Sequence, residues 1–167
     1  MIFRHVDSPV GLLLIAADEA GLRHIEFVRP RHPIRMHGDW QQADSDVLQA
    51  TEAQLVEYFD GGRREFELPL APQGTPFQLQ AWEELARIPF GATISYAQLA
   101  QRVGNPAGTR AVGAANGRNP LPILLPCHRV IGADGTMTGF GGGVPTKEFL
   151  LRLEGALPAG QGGLFSM

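Results

Sequence analysis

Ser95-Tyr96-Ala97-Gln98-Leu99-Ala100-Gln101-Arg102-Val103-Gly104-Asn105-Pro106-Ala107-Gly108-Thr109-Arg110-Ala111-Val112-Gly113-Ala114-Ala115-Asn116-Gly117 carries two helix starts and two stops. Ser95 followed three residues later by Gln98 is a capping box, in which each side chain satisfies an orphan backbone N–H of the other's segment. It opens a helix that runs to about Arg102, where Val103-Gly104 breaks it. Asn105-Pro106 then starts a further helix through Asn116, stopped by Gly117. Two short helices joined by about three residues including Gly form a helix-turn-helix candidate, although plain αα-packing uses the same spacing.

The second of these helices is crowded with small residues: Ala107, Gly108, Ala111, Gly113, Ala114 and Ala115. Glycine there sacrifices helix propensity. Tight helix packing is one explanation. The other is that small side chains let the backbone approach a ligand surface, with Arg110 the one long side chain projecting from it.

Upstream, Thr75-Pro76-Phe77-Gln78 combines an N-cap, Pro at the first helical position and a capping-box Gln. Phe77, Ala81, Trp82 and Leu85 would form the buried face of that helix. Ala71-Pro72-Gln73-Gly74 reads as a linker. Before it, Val10–Ala16 and Leu22–Val28 are β-rich runs flanking a turn at Asp18–Gly21. Arg29–Asp44 reads as an exposed loop. Leu48, Leu55 and Phe59 recur at helical spacing up to the stop at Gly61-Gly62, and Phe66–Leu70 reads as a short strand. The fold expected is α+β. Residues 1–72 would form a small N-terminal α/β domain on an antiparallel sheet. Residues 75–167 would form a mainly helical, winged-helix-like domain that holds the helix-turn-helix.

Composition excludes several classes. Of 167 residues, 44% are hydrophobic and 19% charged, the profile of a globular core rather than a disordered chain. No apolar stretch approaches the roughly 20 residues of a membrane helix. The N-terminus lacks a secretory apolar region, which favours the cytoplasm. One cysteine, Cys127, makes an internal disulfide or a multi-cysteine metal cluster impossible. The net charge of −3 divides unevenly. Residues 1–73 carry 7 Arg against 12 Asp/Glu, and residues 74–167 carry 7 Lys/Arg against 5 Asp/Glu, so the back half is the one suited to an anion.

An apolar approach, Leu121-Pro122-Ile123-Leu124-Leu125, leads to Pro126-Cys127-His128-Arg129-Val130. A lone cysteine usually packs as a small hydrophobe. Here a histidine and an arginine adjoin it, and nearby cations favour the reactive thiolate. Consecutive side chains of an extended segment point to opposite faces. A bridging water or a turn would therefore be needed to connect Cys127 with His128.

The PCHRV motif, preceded by Asn119-Pro120-Leu121-Pro122-Ile123 and followed by a Gly-rich loop, closely resembles the O6-alkylguanine-DNA alkyltransferases. The resemblance covers residues 75–155. It includes Ile94-Ser95-Tyr96, Gly104-Asn105-Pro106, Thr109-Arg110-Ala111-Val112-Gly113 and Lys147–Leu151 leading to Glu154. It implies that Cys127 is the acceptor nucleophile, that His128 takes its proton through a water, and that Glu154 orients and polarises His128. Tyr96 would crowd the target phosphate and donate to the flipped base. Arg110 would enter the duplex where the base has left, with Ala111, Gly113 and Ala114 lying against the minor groove. Asn119 would brace the turn before the active-site strand. Pro126, the Val130 carbonyl, Phe140 and Gly141 would line the guanine pocket.

The implied partner is double-stranded DNA containing O6-alkylguanine, met by a protein that is a monomer off DNA and needs no cofactor or metal. A base must leave the duplex before a thiolate can reach an alkyl group on its oxygen, and a cationic side chain suits the gap it leaves. The resulting thioether is not cleaved by water, so each molecule acts once. Phe140 stands where the family usually has Tyr, and Gly141 replaces larger residues of some members. The chain also lacks the N-terminal cysteines that hold zinc in some relatives, leaving His5, His24, His32 and His37 as scattered residues. Two rivals compete with this reading. One is a DNA-binding protein without alkyl transfer, either a regulator or a lesion sensor, though such sensors replace the acceptor cysteine; the other is a thiol hydrolase, which would leave Tyr96 and Arg110 without a purpose.

Overall fold

The computed structural model describes residues 1–27, 38–137, 140 and 143–157. Three antiparallel strands, β1 (Ile2–Val6), β2 (Leu13–Asp18) and β3 (Gly21–Phe27), build the N-terminal sheet. A two-residue strand, β4 (Gln41–Gln42), adds parallel to β1, giving the order β3-β2-β1-β4. Leu13 and Ile15 of β2 and Leu22 and Ile25 of β3 are buried. Helix α1 (Asp46–Phe59), capped by the Ser45 hydroxyl, packs over the sheet.

The helices of the C-terminal part begin where the capping signals stand. Helix α2 (Pro76–Leu85) starts at the Thr75/Gln78 box and α3 (Tyr96–Arg102) at the Ser95/Gln98 box, each with both reciprocal bonds formed. Such a cap is worth about 1 kcal/mol. Helix α4 (Thr109–Gly117) packs against α2 and α3, and the Trp82 indole donates to the Ala115 carbonyl at 2.8 Å. Helix α5 (Val144–Leu153) is the last helix among the described residues. Beside the helix-turn-helix, β5 (Ile94–Ser95) and β6 (Val130–Ile131) form a short parallel pair.

Several expectations need correction. Strand β1 was not expected, because its pairing with β2 supplies the order that its own short sequence does not. Within the segment expected to be loop, residues 41–42 are β4; residues 28–37 lie outside those described. Phe66–Leu70 contributes only an isolated bridge, Leu22 to Leu70, because Pro69 has no N–H for a ladder. Tyr58, rather than Phe59, completes the buried face of α1 with Leu48, Thr51 and Leu55. Finally, α4 starts at Thr109, not Asn105: a turn closed by the Gly108 N–H on the Asn105 carbonyl, at 2.8 Å, precedes it. In α2, Phe77 is only half-buried, while Ala81, Trp82 and Leu85 are buried.

Candidate active site

The segment 121–130 is buried throughout. Its entry is shaped by Asn119, whose side-chain amide donates to the Leu125 carbonyl at 2.6 Å while its oxygen accepts from the Leu121 N–H at 2.9 Å. Within this braced turn Ile123 is held at φ 76°, a left-handed conformation that a β-branched residue rarely adopts. The Ile25 N–H donates to the Pro120 carbonyl at 2.8 Å, tying the turn to β3.

Cys127, His128 and Arg129 form a single 3-10 turn rather than an extended strand, closed by the Arg129 N–H on the Pro126 carbonyl at 3.0 Å. The alternation expected of an extended segment therefore does not apply. The turn lets His128 and Arg129 both reach Glu154, whose position is set by the end of α5. There Gly155, at φ 79°, lets the chain reverse, and the Ala156 N–H bonds back to the Leu151 carbonyl.

Glu154 is saturated with donors. His128 Nε2 lies 2.7 Å from Oε2, Arg129 Nη2 donates to Oε2 at 2.9 Å, and Arg129 Nε donates to Oε1 at 2.8 Å. The Tyr58 hydroxyl of α1 donates to Oε2 at 2.6 Å. Burial alone would raise the Glu154 carboxyl, but the bonds and charges of His128 and Arg129 bring it down to about 2. It is a fixed anion. Burial, together with the Arg129 and Lys147 charges, lowers the proton affinity of His128, against the upward pull of Glu154. At neutral pH that imidazole is neutral, and its Nδ1 has no hydrogen-bond partner among the described residues.

Burial pushes the Cys127 thiol up to about 11, opposed by a hydrogen bond from Asn119, the Lys147 charge and the N–H groups of Cys127 and His128. The thiol is thus shut in and protonated until something takes its proton. Lys147 lies in the Lys147–Leu151 stretch that carries the resemblance, which gives it no role, yet it belongs to the site. It is fully buried on α5 beside Leu150 and Leu151, donates from Nζ to the Val130 carbonyl at 2.6 Å, and sits 5.8 Å from the Tyr96 ring centroid. Burial brings its ammonium down to about 8. A lysine at a helical spacing reserved for leucines was the signal available.

Tyr96 is placed at the first position of α3 by the Ser95 cap, and the β5–β6 pair sets Ile94 beside Val130. It is half-buried. Arg110, Ala111 and Ala114 are exposed on α4, while Val112, Ala115 and Asn116 face inward. Small residues on an exposed face are not explained by packing. A Cβ added to Gly113 would meet nothing closer than Tyr96 Cδ1, at 3.9 Å. Phe140 is buried against Phe27, with ring centroids 5.4 Å apart. Gly139 and Gly141 lie outside the described residues. Among the described residues, no group of three or more His, Cys, Asp or Glu side chains could hold a metal ion, and no helix is long and apolar enough to cross a membrane.

These elements define a class: a mixed α+β protein whose helix-turn-helix stands beside a buried thiol and a histidine–carboxylate pair. Residues 76–156 match the DNA binding domain of 6-O-methylguanine DNA methyltransferase, and residues 1–72 match its ribonuclease-like domain. The methylated-DNA–protein-cysteine methyltransferase of Methanosarcina acetivorans is 44% identical over 93% of this chain and 99% of its own. That of Haemophilus influenzae is 41% identical over 92% and 86%. A Mycobacterium tuberculosis OGT solved in complex with DNA superposes with a TM-score of 0.86 at 40% identity, covering 95% of this chain and 96% of that one. The chain belongs to the 6-O-methylguanine DNA methyltransferase family.

Proposed function

We propose that this chain is a methylated-DNA–protein-cysteine methyltransferase that repairs DNA by direct reversal, moving the alkyl group of O6-alkylguanine onto Cys127 in one irreversible turnover. The observation that carries the reading is the contact of Glu154 with His128 Nε2, which leaves Nδ1 of the same ring without a partner among the described residues. His128 takes the Cys127 proton through a water, and the charged Glu154 stabilises the imidazolium that results. The thiolate attacks the alkyl carbon, a C–S bond forms, and the C–O bond breaks with its electron pair returning to the guanine oxygen. Tyr96 donates to the departing base. The alkyl group arrives with the substrate, so no separate methyl donor enters. O4-alkylthymine presents the same alkyl–oxygen bond and is a second substrate.

Duplex DNA meets the face of Arg110, Ala111 and Ala114, exposed on α4, together with half-buried Gly113. The small residues allow close approach to the minor groove, and Arg110 fills the gap left when the base is flipped into the pocket of Pro126, Val130, Phe140 and Gly141. Asn119 keeps that pocket in shape. On this reading residues 1–72 and 75–167 are the two domains, and the protein is a cytoplasmic monomer off DNA. Mass spectrometry after incubation with duplex DNA bearing O6-methylguanine tests it. One added methyl on Cys127 is the expected result. Binding without a mass change would make the chain a lesion sensor, and repeated hydrolysis of an ester would make it a thiol hydrolase.

A further inference from the structure

The proposed relay uses His128 and Glu154, yet the shortest hydrogen bond on Glu154 comes from elsewhere. Tyr58 lies on α1, 96 residues away in sequence, and donates to Oε2 at 2.6 Å, the same oxygen that His128 Nε2 meets at 2.7 Å. Its ring is locked by the edges and faces of Phe59, Phe66 and Phe90, at centroid distances of 5.3, 5.5 and 6.4 Å. Phe90 in turn lies under the Arg129 guanidinium, 5.7 Å away. A hydroxyl so fixed is a specific donor rather than an incidental neighbour.

We infer that Tyr58 is a positioning residue of alkyl transfer: from the N-terminal part of the chain, its hydroxyl holds Glu154 on His128 and limits the carboxylate's pull on the imidazole. The inference rests on the relay proposed above. Burial and the facing carboxylate push the Tyr58 phenol well above its ordinary range, so it stays a donor at every pH of interest. The charged and titratable groups facing Glu154 are His128 and Arg129 from the 3-10 turn and Tyr58 from α1; Lys147 of α5 acts on His128 and Cys127. Donors compete for the charge on Oε2. With Tyr58 removed, the carboxylate holds imidazolium more strongly, and His128 becomes a stronger base. The ring's orientation, however, is less well fixed.

The experiment is the rate of Cys127 alkylation by free O6-benzylguanine as a function of pH, which needs no DNA. Tyr58→Phe is expected to lower the plateau rate and shift the acid-limb midpoint, below which His128 is protonated and no longer a base, up by about half a pH unit. Glu154→Gln shifts it down, because the anion that raises His128 is gone. Phe66→Leu, which loosens the same aromatic cluster without touching Glu154, leaves the midpoint in place. 3-Fluorotyrosine at position 58, a stronger donor in the same place, moves the midpoint opposite to Tyr58→Phe and serves if that variant does not fold. An unmoved midpoint in both position-58 variants, or an equal shift in Phe66→Leu, overturns the role of Tyr58 alone. An unmoved midpoint in Glu154→Gln overturns the relay and this inference with it.

Discussion

His128 Nε2 and Glu154 Oε2 lie 2.7 Å apart with both side chains fully buried. Because Arg129 neutralises the same carboxylate, the pair resides in the interior as part of a balanced cluster, not as an isolated charge. Removing one partner is therefore costly. Replacing His128 by Ala should slow alkyl transfer by about 10²-fold or more and raise the apparent pKa of the thiol. Stopped reactions with free O6-benzylguanine across pH would read both, and an unchanged thiol profile would exclude His128 as the base.

The same cluster predicts acid sensitivity. The Glu154 carboxyl is held at about 2, against an ordinary value of 4.5. A folded-state value below the unfolded one contributes stability that is present above the unfolded value and lost as pH falls towards the folded one. The window is thus from pH 4.5 down to 2, and the contribution is on the order of 3 kcal/mol. Denaturant melts should show Glu154→Gln to be less stable at pH 7, with the gap to the parent protein closing over that window. A constant gap would mean that the charge is not what stabilises the fold.

Much of this architecture was legible in the chain because its signals are local. Thr75/Gln78 and Ser95/Gln98 are bonds between neighbours, and PCHRV keeps thiol, imidazole and guanidinium within one turn. What was not legible depends on distant pairing. Ile2–Val6 becomes a strand only because β2 lies beside it. Tyr58 and Lys147 reach the site from α1 and α5, and nothing near either residue in sequence names its partner. Asn105-Pro106 serves a turn as readily as a helix start, so α4 begins only at Thr109.

On the proposed reading, Arg110 separates recognition from chemistry. It is exposed on α4, whereas the thiol segment is buried. Arg110→Ala should slow repair of duplex substrate about tenfold or more, yet leave reaction with free O6-benzylguanine within about twofold, since a free base needs no extrusion. Equal losses on the two substrates would assign Arg110 to the fold or the reaction.

Gly113 offers the converse test. Alanine fits there in the free protein, with Tyr96 Cδ1 at 3.9 Å from the added carbon. Replacing a helical Gly by Ala should stabilise α4 by about 0.5–1 kcal/mol. If the surface is kept small for DNA, Gly113→Ala should melt higher and bind duplex DNA less tightly. A variant that melts higher and binds equally well would return the small residues of α4 to mere tolerance.

Alkylation itself should weaken the fold. Cys127 is 4% exposed, and the segment from Leu121 to Val130 is buried around it. A methyl or benzyl group on that sulfur adds carbon to a close-packed region and removes the charge that would pair with protonated His128. Adding such bulk typically costs about 1–3 kcal/mol. For a chain of this length each kcal/mol lowers the melting temperature by roughly 2–4 °C. Pro126 cannot rotate away and Ile123 already sits at φ 76°, so the braced turn has little freedom to absorb the added volume. The strain should pass to the Asn119 bonds on Leu121 and Leu125. Thermal melts of unmodified, methylated and benzylated protein should therefore fall in that order. Hydrogen exchange should rise first at the Leu121 N–H. Three superimposable melts would mean that the pocket already has room for the alkyl group, and the turn would then be rigid for binding alone.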